Sequence, residues 1–302
     1  MTNTYPQTQQ VVPGVRLHKE SAQVWHLQVD SFGAALDAAD ERNRQHQKGI
    51  HCWQSASVDT GPGAEEFTGT RSLDHALDLA RNGWPEGAAK IMAGIDGLAA
   101  GNATPAMFPA YSWDVAGEQP DVAAFCAGVP EHMGTPEPVE SRVESVIRIS
   151  IPASYPARVK ANAVQTYGIA LLSHIYAIQQ TGRSVALTAD GSNTACSGNR
   201  QEIISSIPIL EPGAPVDLDR LAFAFHPSML RRITFAVREI VPDLSVMRGV
   251  HGYPFPIRPE RHRVPGTIYI PGPGQMRGDG RNLENAVRQI GEWLTEAMEA
   301  AA

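Results

Sequence analysis

The chain has 302 residues, 42% hydrophobic, 19% charged and 7% aromatic, with a formal net charge of −7. This is a globular mixture rather than a disordered one, and no run of about 18 apolar residues supports a membrane span. Cys52, Cys126 and Cys196 lie far apart with no CxxC pair, which leaves a thiolate zinc site or redox motif without support and suits a reducing compartment.

Such a length accommodates two modest domains or one large one. The charge is uneven: residues 1–139 hold 8 Lys+Arg against 17 Asp+Glu, the remainder 17 against 15. An acidic surface repels a phosphate backbone, so any contact with a polyanion should involve the second part, although an acidic solvated face accounts for the imbalance equally simply. The first thirty residues hold no apolar stretch between a basic start and a small-residue cleavage site. No secretory signal is therefore expected.

In chain order, residues 1–14 read as a poorly ordered or clamped arm. Val24–Val29 alternates as a short strand, and Asp30-Ser31 can cap a helix running to about Gln47, with Gly49 as its stop. Residues 54–66 read as a loop. Ser72 can cap a helix whose apolar face is Leu73, Ala76, Leu77 and Ala80. Gly83 is expected to close it in the left-handed conformation, and Pro85 suits the first turn of a second helix. The resulting αα-hairpin, residues 72–99, resembles a DNA-reading helix-turn-helix in outline. Its Asp74, Asp78, Glu86 and Asp96 against Arg71, Arg81 and Lys90 favour packing instead.

Residues 101–120 read as irregular, Asp121–Ala127 as a short helix, and the Pro/Glu-rich 134–140 as a boundary. The expectation is an acidic, α-rich N-terminal region, 1–139, followed by an α/β domain, 140–302. In that domain Glu144–Ile151 alternates as a strand, Lys160–Gln180 carries helical periodicity, and Ser184–Thr188 is the next strand. So tight a strand–helix–strand unit is expected to form a parallel crossover. A loop over 189–199, strands over Glu202–Leu210 and Arg220–Phe225, and a helix opened by Pro227 and stopped by Pro242 follow. An Arg/Pro-rich connection over 248–265, a strand Thr267–Ile270 and a terminal amphipathic helix Leu283–Glu299 complete the chain. Alternating strands and helices predict a three-layer α/β domain.

Motifs of established chemistry are scarce. No GxSxG, HExxH or GxxxxGK[ST] is present, so serine-hydrolase, zincin and P-loop readings lack support. The Gly-rich stretch 271–280 lies between a strand and a helix, where Arg277 and Arg281 could help hold an anion. It departs from GxGxxG because Arg277 occupies the third glycine position, and Pro271 and Pro273 remove N–H donors. Arg248, Arg258, Arg261 and Arg263 are interleaved with Tyr253 and Phe255, which suits single-stranded nucleic acid. The prolines of the same stretch equally suit an arm gripping another subunit, or a solvated loop. His226-Pro227-Ser228 is expected to serve helix capping rather than nucleophile activation, and His174 to be a half-buried histidine with its hydrogen bonds met.

Four stretches resemble, in order, an uncharacterised family of bacteriophage-encoded proteins. They are FTGTRSLDHALDLARNGWPEG, DVAAFCAGVPEHM, YGIALLSHIYAIQQTGRSVAL and DLDRLAFAFHPSMLRRITFAVRE, spanning roughly residues 67 to 240. The resemblance implies a phage or prophage origin and a Rossmann-like second half similar to von Willebrand A domains. It implies no catalytic residues. Those domains hold a divalent metal through DxSxS directly after the first strand, whereas here that strand runs into Ile151-Pro152-Ala153-Ser154-Tyr155. Asp190, Ser192 and Thr194 form a partial echo after the second strand. A hard cation needs several converging oxygens, and turn chemistry alone selects the same residues.

Two functions follow as expectations. One is a non-catalytic phage protein, a virion or assembly component or accessory factor, in the host cytoplasm or the virion. It binds itself or other phage proteins, needs no cofactor and contacts no membrane. The other is a nucleic-acid-binding or nucleic-acid-processing protein using the basic loops of the α/β domain.

Overall fold

A computed structural model describes residues 7–21, 24–50, 56–99, 111–117, 119–136, 146–153, 155, 159–180, 183–194, 202–214, 217–241, 264–277 and 282–301. Strands β1 (Gln7–Val12), β2 (Val15–Lys19) and β3 (Val24–Val29) precede helices α1 (Phe32–Gln47), α2 (Ala64–Thr68), α3 (Leu73–Asn82) and α4 (Pro85–Ala99). A small unit then comprises β4 (Tyr111–Asp114), β5 (Gln119–Pro120), α5 (Val122–Cys126) and β6 (Met133–Pro136). Next come β7 (Ile147–Pro152), α6 (Ala161–Gln180), β8 (Val185–Thr194), β9 (Glu202–Leu210) and α7 (Leu218–Phe223). A π-helical turn, Met229–Ile233, leads into α8 (Thr234–Glu239), followed by β10 (Thr267–Tyr269) and α9 (Leu283–Ala301).

Residues 7–12, expected in a poorly ordered or clamped arm, form an edge strand. The Pro13-Gly14 turn folds β1 back antiparallel on β2. Gly14 has φ +74°, and a Cβ there would lie 2.6 Å from the Ala34 Cβ, so this corner requires glycine and sits against α1. Ser31 caps α1 by accepting from the Ala34 N–H, as its position before the apolar run suggests. Ser72 caps α3 in the same way.

The main sheet has the order β1-β2-β3-β9-β8-β7-β10. Strands β7 and β8, joined through α6, are parallel as the crossover requires. β10 adds parallel to β7, and β9 lies antiparallel to β8. β3, from near the start of the chain, pairs parallel with β9. The sheet therefore draws three strands from before residue 139 and four from after it. The described chain is mixed α/β.

The pleat sorts the side chains by alternation. Val15, Leu17, Leu27, Val29, Ile203, Ile207, Leu187, Ala189, Ile149 and Ile151 share one side by register, and all are buried. They form one continuous core with α1, α6 and the helices packed on those two. The opposite side is polar. α1, α6 and the helices packed on them thus lie on one side of the sheet.

Among the segments that differ from the sequence reading, which include α2, β4 and β6 where loops are expected, two do so for identifiable reasons. Residues 220–225, read as a strand, lie within and just after α7, capped by Asp217 through the Arg220 N–H at 3.2 Å. Leu221 to Phe225 are buried without interruption, and such an apolar run has no period that separates strand from helix. Residues 189–194, read as a loop, continue β8, because Glu202–Ser206 of β9 pair with them throughout.

Candidate functional site on the open side of the sheet

The side of the sheet away from the core carries Thr8, Gln10, Arg16, His18, His26 and Gln28 on β1 to β3. It continues with Ser206 on β9, Thr188, Asp190 and Ser192 on β8, Arg148 and Ser150 on β7, and Tyr269 on β10. Arg148, Arg16 and Gln28 are exposed, while Ser150, Asp190, Ser192 and Ile204 at the centre are buried. Ile204 lies outside the continuous core although it is buried, which marks the centre of this side as a separate enclosed spot.

Asp190 organises that spot. Its Oδ2 accepts from the Ser150 hydroxyl on the neighbouring strand, and from Thr188 Oγ1 at 3.2 Å. Ser206, opposite Asp190 on β9, also contributes a hydroxyl. Burial pushes the carboxyl above its ordinary range, and the hydroxyls of Ser150, Ser206 and Thr188 pull it back down. Three strands thus converge on one carboxyl group.

The expected metal ligands are distributed accordingly. Asp190, Ser192 and Thr194 alternate along β8, with Asp190 and Ser192 buried. Asp190 already accepts hydroxyl protons, and one carboxylate among neutral hydroxyls offers a hard cation little charge. No group of three His, Cys, Asp or Glu side chains suited to a metal occurs among the described residues. At the end of β7, Ile151 and Ala153 are buried and apolar, so the position where a von Willebrand A domain carries its acid does not fit a cation here.

Of the residues expected to hold an anion, Arg248, Arg258, Arg261, Arg263 and Arg281 lie outside the described residues. Arg277 is exposed, but its backbone is committed to α9. Its N–H donates to Gln289 Oε1 at 2.8 Å, and its carbonyl accepts from Gln289 Nε2 and Asn285 Nδ2 at 2.8 Å each. Gly272 N–H donates to Gln275 Oε1. The N–H groups of Gly272 and Arg277 are therefore spent on the loop and on α9 respectively rather than left for a phosphate.

Sequence reasoning missed a buried arginine network. The wide π turn places consecutive Arg231 and Arg232 both inside. Arg232 donates to Thr68 Oγ1, Thr70 Oγ1 and the carbonyls of Ser57, Asp59 and Thr70, at 2.8 to 3.1 Å. Arg231 donates to the carbonyls of Phe67 and Val159 and lies 4.0 Å from the Phe67 ring centroid. Glu239 joins Arg42 at 3.2 Å and accepts from the Ser57 N–H at 3.1 Å. The signal was available: paired arginines inside the apolar run Phe223–Val237 must find internal acceptors.

The histidines serve packing. His226 stacks on Phe223 at 5.6 Å and meets Trp84 edge-on at 4.9 Å, while its Nδ1 accepts from the Ser228 backbone N–H. Desolvation lowers its pKa to about 4, with a smaller push from His75. Ser228 Oγ donates to the Thr68 carbonyl at 2.7 Å, so the pair does not form a nucleophile and its base. His174 donates to the Val287 carbonyl at 2.8 Å, as a satisfied half-buried histidine should.

Among the described residues no helix is long and apolar enough to cross a membrane. No match is found among curated proteins or among solved structures. A family model described as a domain of unknown function, DUF7192, matches residues 7–294, nearly the whole chain, and the chain belongs to that family.

Proposed function

We propose that the protein works by binding rather than by catalysis, and that the exposed residues around the enclosed centre of the open side, among them Arg16, Gln28 and Arg148, meet the partner. The reading is supported chiefly by how the ionisable groups are used. Glu239, Arg232, Arg231, His226 and His174 are each committed to holding the chain together. Asp190 is enclosed by hydroxyls, with no nucleophile–base pair beside it among the described residues. A phage origin and an assembly or accessory role, as the resemblance implies, accord with this. The Rossmann-like character rests on the β7–α6–β8 crossover alone, since β8 and β9 at the sheet centre run antiparallel.

The test is sedimentation velocity over rising concentration, together with mass spectrometry of phage particles. The natural chain is expected to self-associate or to be found in particles. Arg148→Glu with Gln28→Glu, both on the open side, is expected to abolish this without altering the melting curve. A chain that stays monomeric throughout and is missing from particles sinks the reading.

A second reading, single-stranded nucleic acid, is favoured by the exposed Arg148 on the same side, whereas Arg16 and His26 there already pair with Asp30 and Glu20. It predicts salt-sensitive oligonucleotide binding that weakens in Arg258→Ala with Arg261→Ala. Absence of binding by the natural chain at low salt ends it.

A further inference from the structure

Large apolar side chains are exposed at few described positions, and four of them, Val115, Val122, Phe125 and Val129, belong to the small unit of β4, β5, α5 and β6. Val122 and Phe125 stand one turn apart on α5 at 66% and 63% exposure. Val129 follows through a helix end in which the Gly128 N–H reaches the Phe125 carbonyl and the Val129 N–H reaches that of Ala124. That pair of bonds, with Gly128 at φ +73°, is the Schellman arrangement, and it fixes where Val129 sits relative to the helix. His132 closes one side of Phe125, with ring centroids 5.0 Å apart, and is held by the Val129 carbonyl. The patch is therefore a shaped surface rather than a loose tail. A contiguous apolar surface on a soluble unit is normally covered by something.

The charge around it says what covers it. Residues 111–136 contain Asp114, Glu118, Asp121 and Glu131 and no lysine or arginine. Asp114 and Glu131 are exposed, and Asp121 caps α5 through the Ala124 N–H. Pairing this patch with its own copy across a two-fold axis would set acid against acid. An anionic lipid surface would be repelled in the same way. We infer that the α5 patch docks a cationic amphipathic segment of a partner protein, whose apolar side chains meet Val122, Phe125 and Val129 while its Lys or Arg residues meet Asp114 and Glu131. This surface is built from other elements than the open side of the sheet and does not depend on the function proposed for that side.

The test uses the full chain and a fluorescent helical peptide of leucine and lysine with one apolar and one cationic face. A twin peptide carrying glutamate for lysine serves as control. The natural chain is expected to raise the anisotropy of the cationic peptide only. Val122→Ser with Phe125→Ser leaves the charge unchanged and should weaken binding about tenfold or more, as loss of an aromatic anchor does. Because both side chains are exposed, the circular dichroism spectrum should not change. Asp114→Asn with Glu131→Gln should weaken binding several-fold at low salt and little at high salt. Equal binding by the natural chain and the serine variant would reduce the contact to bulk charge and overturn the inference, as would equal binding of the glutamate peptide or indifference to the Asp114 and Glu131 changes. Self-association that disappears in the serine variant would assign the patch to a second copy and overturn it too.

Discussion

Arg232 shows how much of the fold can hang on one side chain. It is fully buried and gives five hydrogen bonds to the 57–70 segment, so one guanidinium supplies most of the bonds that pin that segment to the π turn, with Arg231 adding one to Phe67. Arg232→Met keeps much of the volume but leaves those carbonyls without donors, at a cost of about 3 kcal/mol or more. Urea denaturation should show a lower midpoint with an unchanged slope, and a loss below about 1 kcal/mol would deny Arg232 this role. His226 supplies the pH dependence. Its folded pKa of about 4 lies below the ordinary 6.5 because burial disfavours the charged form. Between those values the unfolded chain binds a proton that the folded chain refuses. Stability should therefore fall as pH drops from about 6.5 to about 4 and then level off, by about 3 kcal/mol in all. His226→Gln should flatten that slope, and an unaltered pH profile would place the titrating group elsewhere. Neither role could be read from residue type alone, because His226-Pro227-Ser228 and Arg231-Arg232 acquire their partners from residues some 160 positions away.

At the level of elements, the sequence was most legible where a cap and a period coincide. Ser31 before α1 and Ser72 before α3 carry both signals, the alternation of β3 and β7 carries the period alone, and the elements lie where those signals put them. Legibility failed where burial is complete or partners are remote. Leu221–Phe225 is apolar on every side, and 189–194 looks like turn chemistry until β9 is paired against it. Gly83 falls between these cases. Its position at the end of α3 is as expected, but at φ +94° and ψ +169° it lies outside the helical left-handed basin, in a positive-φ region open essentially to glycine. A Cβ there would stand 2.5 Å from the Asp219 Cβ, because Trp84 N–H reaches across to the Asp219 carbonyl and draws α7 against the corner. Gly83→Ala should therefore cost about 2 kcal/mol or more, combining backbone strain with overlap. Thermal melting decides this, and a variant as stable as the natural chain would show that α7 shifts aside at no cost.

The same long-range dependence governs the molecule as a whole. β3 joins β9 in parallel, and β2 and β1 extend the sheet beyond it, so strands from the first thirty residues complete a layer built mostly after residue 145. A break near residue 139, where proline and acidic residues cluster, would leave β9 as an edge strand with unpaired N–H and C=O groups. It would also remove α1, whose Ala35, Leu36, Ala38 and Ala39 belong to the same core as Ile203 and Ile207. The fragment 140–302 is accordingly expected to melt without a cooperative transition or to aggregate, although it contains the crossover β7–α6–β8 intact. Co-expression with 1–139 should restore a single transition, because the missing surface is supplied in trans. The same experiment bears on the open side of the sheet: its polar row crosses from β1 to β10, so a fragment holding only β7 to β10 presents less than the full surface. A cooperative melt of 140–302 alone, at the temperature of the whole chain, would show that the β3–β9 junction contributes little and that the two parts are separable.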